Sequence, residues 1–190
     1  ACERGFIFHH ASKDYVMLTL SLEEGAHVPP YATHYIGIGG IVINKKNELL
    51  VVSERYRQSG RGPSYKLPGG ALQSGEHLAD AAVREVFEET GVRTTFEAIS
   101  FFRHWHGYRY GKSDIYFVAK LIPLTDEITI QEEEISECLW MPVSDFLNDR
   151  SVHDFNKTIV NTSMKNLGMR QVTIDGYEPP EKYEFFGVTE

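Results

Sequence analysis

One segment of the chain, from Gly70 to Val92, constrains the fold and the chemistry more than the rest of the sequence. It carries one arginine and four glutamates at fixed spacings, together with small and aliphatic residues: Gly70, Glu76, Arg84, Glu85, Val86, Glu88, Glu89, Gly91 and Val92. Average residue frequencies give a chance match of roughly one in 10^7 for a chain of this length. Coincidence is therefore a poor explanation for the pattern.

The spacing has a physical meaning if residues 77–90 form a helix. Gly91 then stands at a left-handed C-terminal cap, and Ser74 lies just ahead of the helix start. At about 100° per residue, three carboxylates share an arc of roughly 100° on one face, those of Glu85, Glu88 and Glu89. The apolar face predicted to pack on a core consists of Ala79, Val83, Val86 and Phe87. The sequence therefore predicts an amphipathic helix with an acidic stripe.

The acidic stripe requires a compensating cation, because carboxylates within one and a half turns repel each other. Arg84 can reach Glu88 one turn later, but one guanidinium does not neutralise the whole group. Hard divalent ions such as Mg2+ bind oxygen ligands, commonly one or two carboxylates with waters and substrate phosphates. A solvated acidic face is the alternative for a run of charges, and the complete pattern favours a metal site over it.

The run Tyr65–Gly70 lies just upstream of the acidic helix and contains Pro68-Gly69-Gly70. This predicts a turn at which the backbone can approach a ligand closely. Its carbonyls can add metal ligands, and Lys66 can contact a phosphate as a point charge. An ordinary turn between a strand and a helix is the alternative. Next to the acidic helix, we expect the turn to belong to the site.

Taken together, these residues resemble the Nudix box, the motif of hydrolases that cleave a nucleoside diphosphate linked to another moiety. Every fixed position of the box is met, and the resemblance implies a loop-helix-loop catalytic segment. It implies a binding site for Mg2+ or Mn2+ formed by Glu85, Glu88, Glu89 and the backbone of Gly69 or Gly70. It also implies that Glu76 and Arg84 form a salt bridge that orients the ligand helix.

Three further stretches are similar to one branch of that family: Gly5–His10, Tyr31–Gly40 and Gly111–Tyr116. The branch contains the animal antisense-fibroblast-growth-factor Nudix protein and plant pyrophosphatases for ADP-ribose and NADH. The resemblance implies ADP-ribose or NADH as the substrate. Known members carry an additional N-terminal region, and this chain starts with alanine. We therefore expect a fragment or an excised catalytic domain.

Two alternatives stay open beside metal-dependent hydrolysis of ADP-ribose or NADH. A hydrolase with this box can act on oxidised nucleotides or capped RNA ends. The chain can also be a Nudix-fold binding or regulatory protein with weak turnover. Presence of the whole ligand set favours a pyrophosphohydrolase.

Substrate contacts are expected mainly outside the box. The run Arg103–Asp114 combines aromatic rings with cationic side chains, which suits a nucleobase and a phosphate. Packing in the core is the alternative for each aromatic ring. The expected substrate-binding residues are Arg57, Lys66, His104, Trp105, Tyr108, Lys112 and Asp114.

The general base is a box glutamate or a glutamate outside the box. Glu134 resembles the glutamate that precedes a Trp strand in other Nudix enzymes, here the strand with Trp140. A solvated loop is the alternative for three consecutive glutamates.

Composition limits the partners and the compartment. A formal charge of -8 argues against a nucleic-acid partner, except a capped RNA end. No apolar run approaches about 18 residues, so no membrane span is predicted. Cys2 and Cys138 make no metal or disulfide pattern, which favours a reducing compartment. We expect an intracellular, cytoplasmic protein, or a nuclear or mitochondrial one if an N-terminal region is missing. The family resemblance implies a homodimer.

The organisation predicted from the sequence is a Nudix domain over residues 31–170. Residues 1–30 would supply N-terminal strands and a connector packed on the core, and residues 171–190 a surface tail. Predicted strands cover residues 15–20, 35–43, 49–53, 96–103, 115–121 and 138–141. Predicted helices cover residues 77–90, 144–150 and 156–167. A mixed sheet with helices on both faces is an α/β/α sandwich.

Overall fold

The computed structural model describes residues 1–55 and 64–189. Its strands are β1 (Ile7–Ala11), β2 (Val16–Thr19), β3 (His34–Val42), β4 (Glu48–Glu54), β5 (Gly69–Ala71), β6 (Thr94–Trp105), β7 (Ser113–Pro123), β8 (Ile135–Pro142), β9 (Arg170–Val172) and β10 (Phe185–Gly187). Its α-helices are α1 (Leu78–Thr90), α2 (Val143–Asn148) and α3 (Asp154–Met164). Single 3-10 turns cover Cys2–Arg4, Arg109–Gly111 and Pro180–Lys182.

The central sheet has four strands in the order β5-β3-β7-β6. Strands β3 and β7 run parallel, whereas β5 pairs with β3 and β6 pairs with β7 in antiparallel orientation. Strand β4 pairs antiparallel with β8, and β1-β2 and β9-β10 form separate two-stranded sheets. The sheet is therefore mixed, as the sequence predicts.

Two apolar clusters lie on opposite sides of the strands. The cluster on the α1 side includes Ile38, Val42, Leu50, Ala82, Val86, Ile99 and Leu121. The cluster on the α2 and α3 side includes Ile41, Leu49, Val51, Val118, Phe146 and Ile159. Consecutive residues within β3, and likewise within β4, therefore belong to different clusters, as in strands that are buried on both faces. The predicted α/β/α sandwich is confirmed.

Helix α1 forms where the sequence predicts it. Its C-terminus is capped at Gly91, whose φ of 72° is left-handed and whose N–H donates to the Phe87 carbonyl. The buried face differs from the prediction: Phe87 is 48% exposed and Val83 only half-buried, whereas Ala81, Ala82 and Thr90 are buried. Glu89 is buried as well, at 6% exposure. No helix in the described ranges is long and apolar enough to cross a membrane.

The predicted turn at Pro68-Gly69-Gly70 is wrong, because Gly69 and Gly70 belong to the short strand β5. Gly69 and Gly70 pair with Gly39 and Ile38, which makes β5 an edge of the central sheet. Three residues are too few to show an alternating pattern in the sequence, and the same holds for β9 and β10. The site backbone is thus held by ladder hydrogen bonds.

The two ends of the chain also differ from the expectation. No side chain among residues 1–30 is buried, and Leu22 is 88% exposed, so the expected packing of this segment on the core is not observed. Strands β1 and β2 contact mainly each other. The segment after residue 171 is mostly exposed, but Phe186 packs against the cluster on the α1 side.

Candidate active site

Arg84 lies at the centre of the acidic stripe and contacts three carboxylates. Its Nε donates to Glu76 Oε1 at 2.6 Å and its Nη2 donates to Glu76 Oε2 at 2.9 Å, which is a bidentate pair. Its Nη1 donates to Glu85 Oε1 at 2.9 Å and to Glu88 Oε2 at 2.8 Å. The Arg84 hydrogen bonds hold the pKa of Glu76 below its ordinary value. The expected ion pair between Glu76 and Arg84 is present in the structure.

Glu89 lies deeper than the other box glutamates. The N–H of Gly69 donates to its Oε2 at 2.9 Å, which ties the helix to β5. Burial raises the pKa of Glu89 to about 7, and the nearby Lys66 charge and the Gly69 hydrogen bond offset this only in part. Burial also raises the pKa of Glu85. Burial therefore disfavours the ionised form of both Glu85 and Glu89.

The donor set fits a hard divalent cation. Carboxylate oxygens are the ligands that Mg2+ and Mn2+ prefer, and β5 brings a side-chain-free backbone against them. A Cβ placed on Gly70 would lie 2.5 Å from Glu85 Oε2, so only glycine leaves this carboxylate in its position. Across residues 1–55 and 64–189, no three His, Cys, Asp or Glu side chains are gathered into a group that could hold a metal ion. Glu85 and Glu88 each contact Arg84 through one of their two oxygens, so a cation bound on this face would lie beside the guanidinium.

A cavity of about 920 Å³ adjoins β5 and contains many of the expected substrate contacts. The predicted residues that line it are Lys66, Gly70, Trp105, Tyr108, Asp114 and Glu134. Arg103, Arg109 and Tyr110, which belong to the predicted run Arg103–Asp114, also line the cavity, as do residues that were not predicted, including Tyr35, Glu54, Tyr116, Phe155 and Asn156. A concave space with aromatic walls and a few charged groups is typical of a nucleotide site.

Arg103 and Asp114 pair on the cavity wall. Arg103 Nη2 donates to Asp114 Oδ2, and Asp114 is 6% exposed. The guanidinium carbon of Arg103 lies 5.3 Å from the ring centres of Trp105 and Phe155 and 5.7 Å from that of Tyr116. Asp114 therefore orients Arg103, and Arg103 supplies the cationic group among the rings. Arg103 lies two residues before Trp105, and residues at this spacing in a strand point to the same face. This spacing is the sequence feature that indicates Arg103 as a site residue.

Glu54 is a cavity residue that was not predicted. It ends β4, and Lys66 Nζ donates to its Oε1. The N–H of Arg55 donates to the Glu134 carbonyl at 2.8 Å, which holds the Glu134 loop beside the end of β4. The sequence feature that indicates Glu54 as a site residue is its position directly after the predicted apolar strand 49–53. The cavity thus has acidic groups outside the box as well.

Two predicted substrate contacts, His104 and Lys112, do not line the cavity. Successive side chains of a strand point to opposite faces, so His104 faces away from Trp105, and its Nε2 lies 2.9 Å from His34 Nε2. Lys112 Nζ donates to the carbonyl of Ala32. Arg57, also predicted as a substrate contact, lies outside the described residues.

Relatives of known sequence place this geometry in a family. The sequence profile of the NUDIX domain matches residues 33–161. Nudix hydrolase 2 of Arabidopsis thaliana is 45% identical over 157 residues, which cover 82% of this chain and 56% of that protein. Nucleoside diphosphate-linked moiety X motif 6 of Xenopus laevis is 35% identical over 171 residues, which cover 88% of this chain and 75% of that protein. Nudix hydrolase 8 of Arabidopsis thaliana is 44% identical over 149 residues, which cover 77% of this chain but only 40% of that protein.

Solved structures show the same fold. A NUDIX hydrolase from Nitrosomonas europaea superposes with a TM-score of 0.61 at 18% identity, over 78% of this chain and 99% of that one. The NUDIX domain of Shewanella oneidensis NrtR, complexed with ADP ribose, superposes with a TM-score of 0.58 at 15% identity, over 71% of this chain and 89% of that one. The box on α1, the fold and the identity to plant and animal relatives agree, and the chain belongs to the Nudix hydrolase family.

Proposed function

We propose that this domain hydrolyses the pyrophosphate bond of a nucleoside diphosphate linked to another moiety, with Mg2+ or Mn2+ as cofactor. One observation carries the proposal: the carboxylates around Arg84 meet the backbone of β5 beside a cavity with aromatic and cationic walls. The carboxylates suit a divalent cation, and the walls suit a base and a phosphate. The groups that suit the cation and the groups that suit the nucleotide therefore lie next to each other.

Glu85, Glu88 and Glu89 would hold the cation, together with the backbone of Gly70. A bound divalent ion neutralises diphosphate charge and lowers the pKa of water. Glu76 anchors Arg84, which positions the two outer ligands. In hydrolysis the attacking water loses a proton to a base, for which Glu134 on the cavity wall is our candidate. Phosphoryl transfer depends mainly on such positioning and charge neutralisation.

ADP-ribose and NADH are the substrates we expect. The rings of Trp105 and Tyr108, 5.4 Å apart, offer faces on which an adenine can stack. Arg103 offers positive charge toward a diphosphate. The animal relative is named for a nucleoside diphosphate linked to another moiety, and the NrtR domain, which shares the fold, is complexed with ADP ribose; both are compatible with this substrate class. With a formal charge of -8, the chain should bind the diphosphate poorly without metal.

The test is a hydrolysis panel with product identification by mass. ADP-ribose, NADH, oxidised nucleoside triphosphates and a capped RNA are incubated with Mg2+, Mn2+ or EDTA. The proposal expects AMP and ribose 5-phosphate from ADP-ribose, or AMP and reduced nicotinamide mononucleotide from NADH, with no product in EDTA. If only an oxidised nucleoside triphosphate or the capped RNA were cleaved, the proposed substrate would be wrong, but the proposed type of reaction would stand. Ligand-induced thermal stabilisation without any cleavage would establish the binding-protein alternative instead.

A further inference from the structure

The N-terminus of the box helix is capped from the far end of the chain. The first N–H groups of a helix have no partner within the helix. His77 occupies the N-cap position of α1, and its side chain makes no capping hydrogen bond. Instead, the N–H of Leu78 donates to Glu184 Oε2 at 2.7 Å, and the N–H of Ala79 donates to Glu184 Oε1 at 3.0 Å. One carboxylate thus satisfies two backbone donors at the positive end of the helix dipole.

Glu184 is held in place by its own segment. It directly precedes β10, which pairs with β9, and Gln171 Nε2 on β9 donates to Glu184 Oε1 at 3.1 Å. Behind it, Phe186 packs 5.6 Å from Phe96 between ring centres. A bridge between Met169 and Ile99 joins the start of this segment to β6. The cap is therefore anchored to the body of the domain.

The capped turn is directly linked to the metal-ligand face of α1. Glu76 lies two residues before Leu78 and binds Arg84 through both oxygens. A second contact from the same C-terminal segment, between His77 Nε2 and the Pro180 carbonyl at 3.1 Å, lies between Glu76 and the capped residues. Release of the first turn would therefore loosen Glu76, and with it the guanidinium that contacts Glu85 and Glu88.

We propose that Glu184 is a positioning residue for hydrolysis: it holds the first turn of α1 so that Glu76 and Arg84 keep the ligand glutamates in place. This inference rests on the proposed function, but the cap itself has a readout that is independent of activity. The C-terminal segment then acts as part of the catalytic domain. Glu184 contacts the helix backbone, and its effect on the substrate passes through the helix.

The experiment compares Glu184→Ala with Glu184→Gln, which keeps one acceptor oxygen, and with Glu181→Ala, which removes an exposed charge from the same segment. The first readout is amide hydrogen exchange of Leu78 and Ala79. The second is the Mg2+ concentration that gives half-maximal hydrolysis, measured beside the KM for the nucleotide.

In Glu184→Ala we expect the two amides to exchange about tenfold faster, as for loss of one hydrogen bond. We expect the half-activating Mg2+ concentration to rise about tenfold, as for loss of a residue that supports metal ligands. The nucleotide KM should stay unchanged, the glutamine variant should recover part of both effects, and Glu181→Ala should match the parent chain. A loss of thermal stability without any change in the Mg2+ requirement would overturn the positioning role.

The two proposals fail separately. If the protein hydrolyses no panel member, amide exchange still decides whether Glu184 caps α1. Unchanged exchange at both amides would overturn the cap even in an active enzyme. If Glu184→Ala does not fold, the same amide exchange rates and Mg2+ requirement are compared between Glu184→Gln and the parent chain.

Discussion

Arg84 binds Glu76 through two parallel hydrogen bonds of 2.6 and 2.9 Å, and its third nitrogen contacts the two ligand glutamates Glu85 and Glu88. Only about a fifth of the Arg84 side chain is exposed. The fork geometry of a guanidinium allows one side chain to serve all three carboxylates at once. Arg84 thus couples the loop that carries Glu76 to the face of α1 that carries the ligands.

Replacing Arg84 by Lys tests this coupling. Lysine keeps the charge but has one donor atom, so it cannot hold Glu76 bidentately and reach α1 ligands as well. We expect kcat/KM for the cleaved nucleotide to fall by at least about tenfold, with a higher Mg2+ requirement. Arg93→Lys, at an exposed arginine just past the helix, is the matched control. Wild-type kinetics in Arg84→Lys would show that charge alone is sufficient.

Gly70→Ala separates activity from folding. The added methyl would lie 2.5 Å from a Glu85 carboxylate oxygen, which is the mobile end of a side chain. The carboxylate can move aside, so we expect Tm within about 3 °C of wild type and kcat/KM lower by about tenfold. Gly187→Ala, where the methyl meets Val172 at an ordinary 3.4 Å, serves as the control. Equal activity in both variants would exclude a role for the close approach of β5 to Glu85.

The raised pKa of Glu89 predicts how stability depends on pH in EDTA. Its folded pKa is about 7 against an ordinary 4.5, so the folded protein binds this proton more tightly than the unfolded chain. The associated stability is present below pH 4.5 and is lost as pH rises towards 7, by up to about 3 kcal/mol. We expect Glu89→Gln to abolish this loss. The free energy of unfolding of the variant should therefore rise relative to that of wild type as the pH increases.

Urea unfolding between pH 5 and pH 8 measures the difference, and Glu127→Gln, at an exposed glutamate, is the control. A difference between Glu89→Gln and wild type that stays constant across this range would contradict the raised pKa. Saturating Mg2+ should reduce the pH dependence of wild type, because a bound cation favours the ionised carboxylate.

Helix α1 could be predicted from the sequence because its causes are local. The acidic and apolar positions recur with helical period, and Gly91 ends the helix within the same segment. The N-terminal cap could not be predicted in this way. Local rules point to Ser74, whereas the acceptor is Glu184, 106 residues after Leu78. Only the packing of β9 and β10 brings that carboxylate to the helix.

The cavity wall shows a second limit of local patterns. The aromatic and cationic composition of the run from Arg103 to Asp114 predicts its place at the cavity, but which of its side chains face the cavity depends on the geometry of the strand. Two bulges shift the register of β6, one between Phe96 and Ala98 and one between Ile99 and Phe101. Counting alternate residues from the core therefore fails. Phe155, from α3, had no sequence signal because it reaches the cavity only through tertiary packing.

The two cysteines should differ in reactivity. Cys2 is exposed, whereas burial raises the pKa of Cys138 to about 12. Because the thiolate is the reactive species, we expect iodoacetamide at pH 8 to alkylate Cys2 and to leave Cys138 unmodified in the folded protein. Peptide mass analysis with and without urea measures both sites. Equal labelling of both cysteines without denaturant would contradict the burial of Cys138.

Trp105 and His104 are neighbours on β6, but we expect only Trp105 to affect substrate binding. Trp105 lines the cavity beside Arg103, whereas His104 faces His34. Loss of a stacking ring costs about 1–3 kcal/mol, so we expect Trp105→Ala to raise the KM for the cleaved nucleotide about tenfold or more, with kcat changed less. His104→Ala should leave both constants near wild type. If His104→Ala raises KM as strongly as Trp105→Ala, the substrate lies on the other face of β6, and the cavity described above is not its binding site.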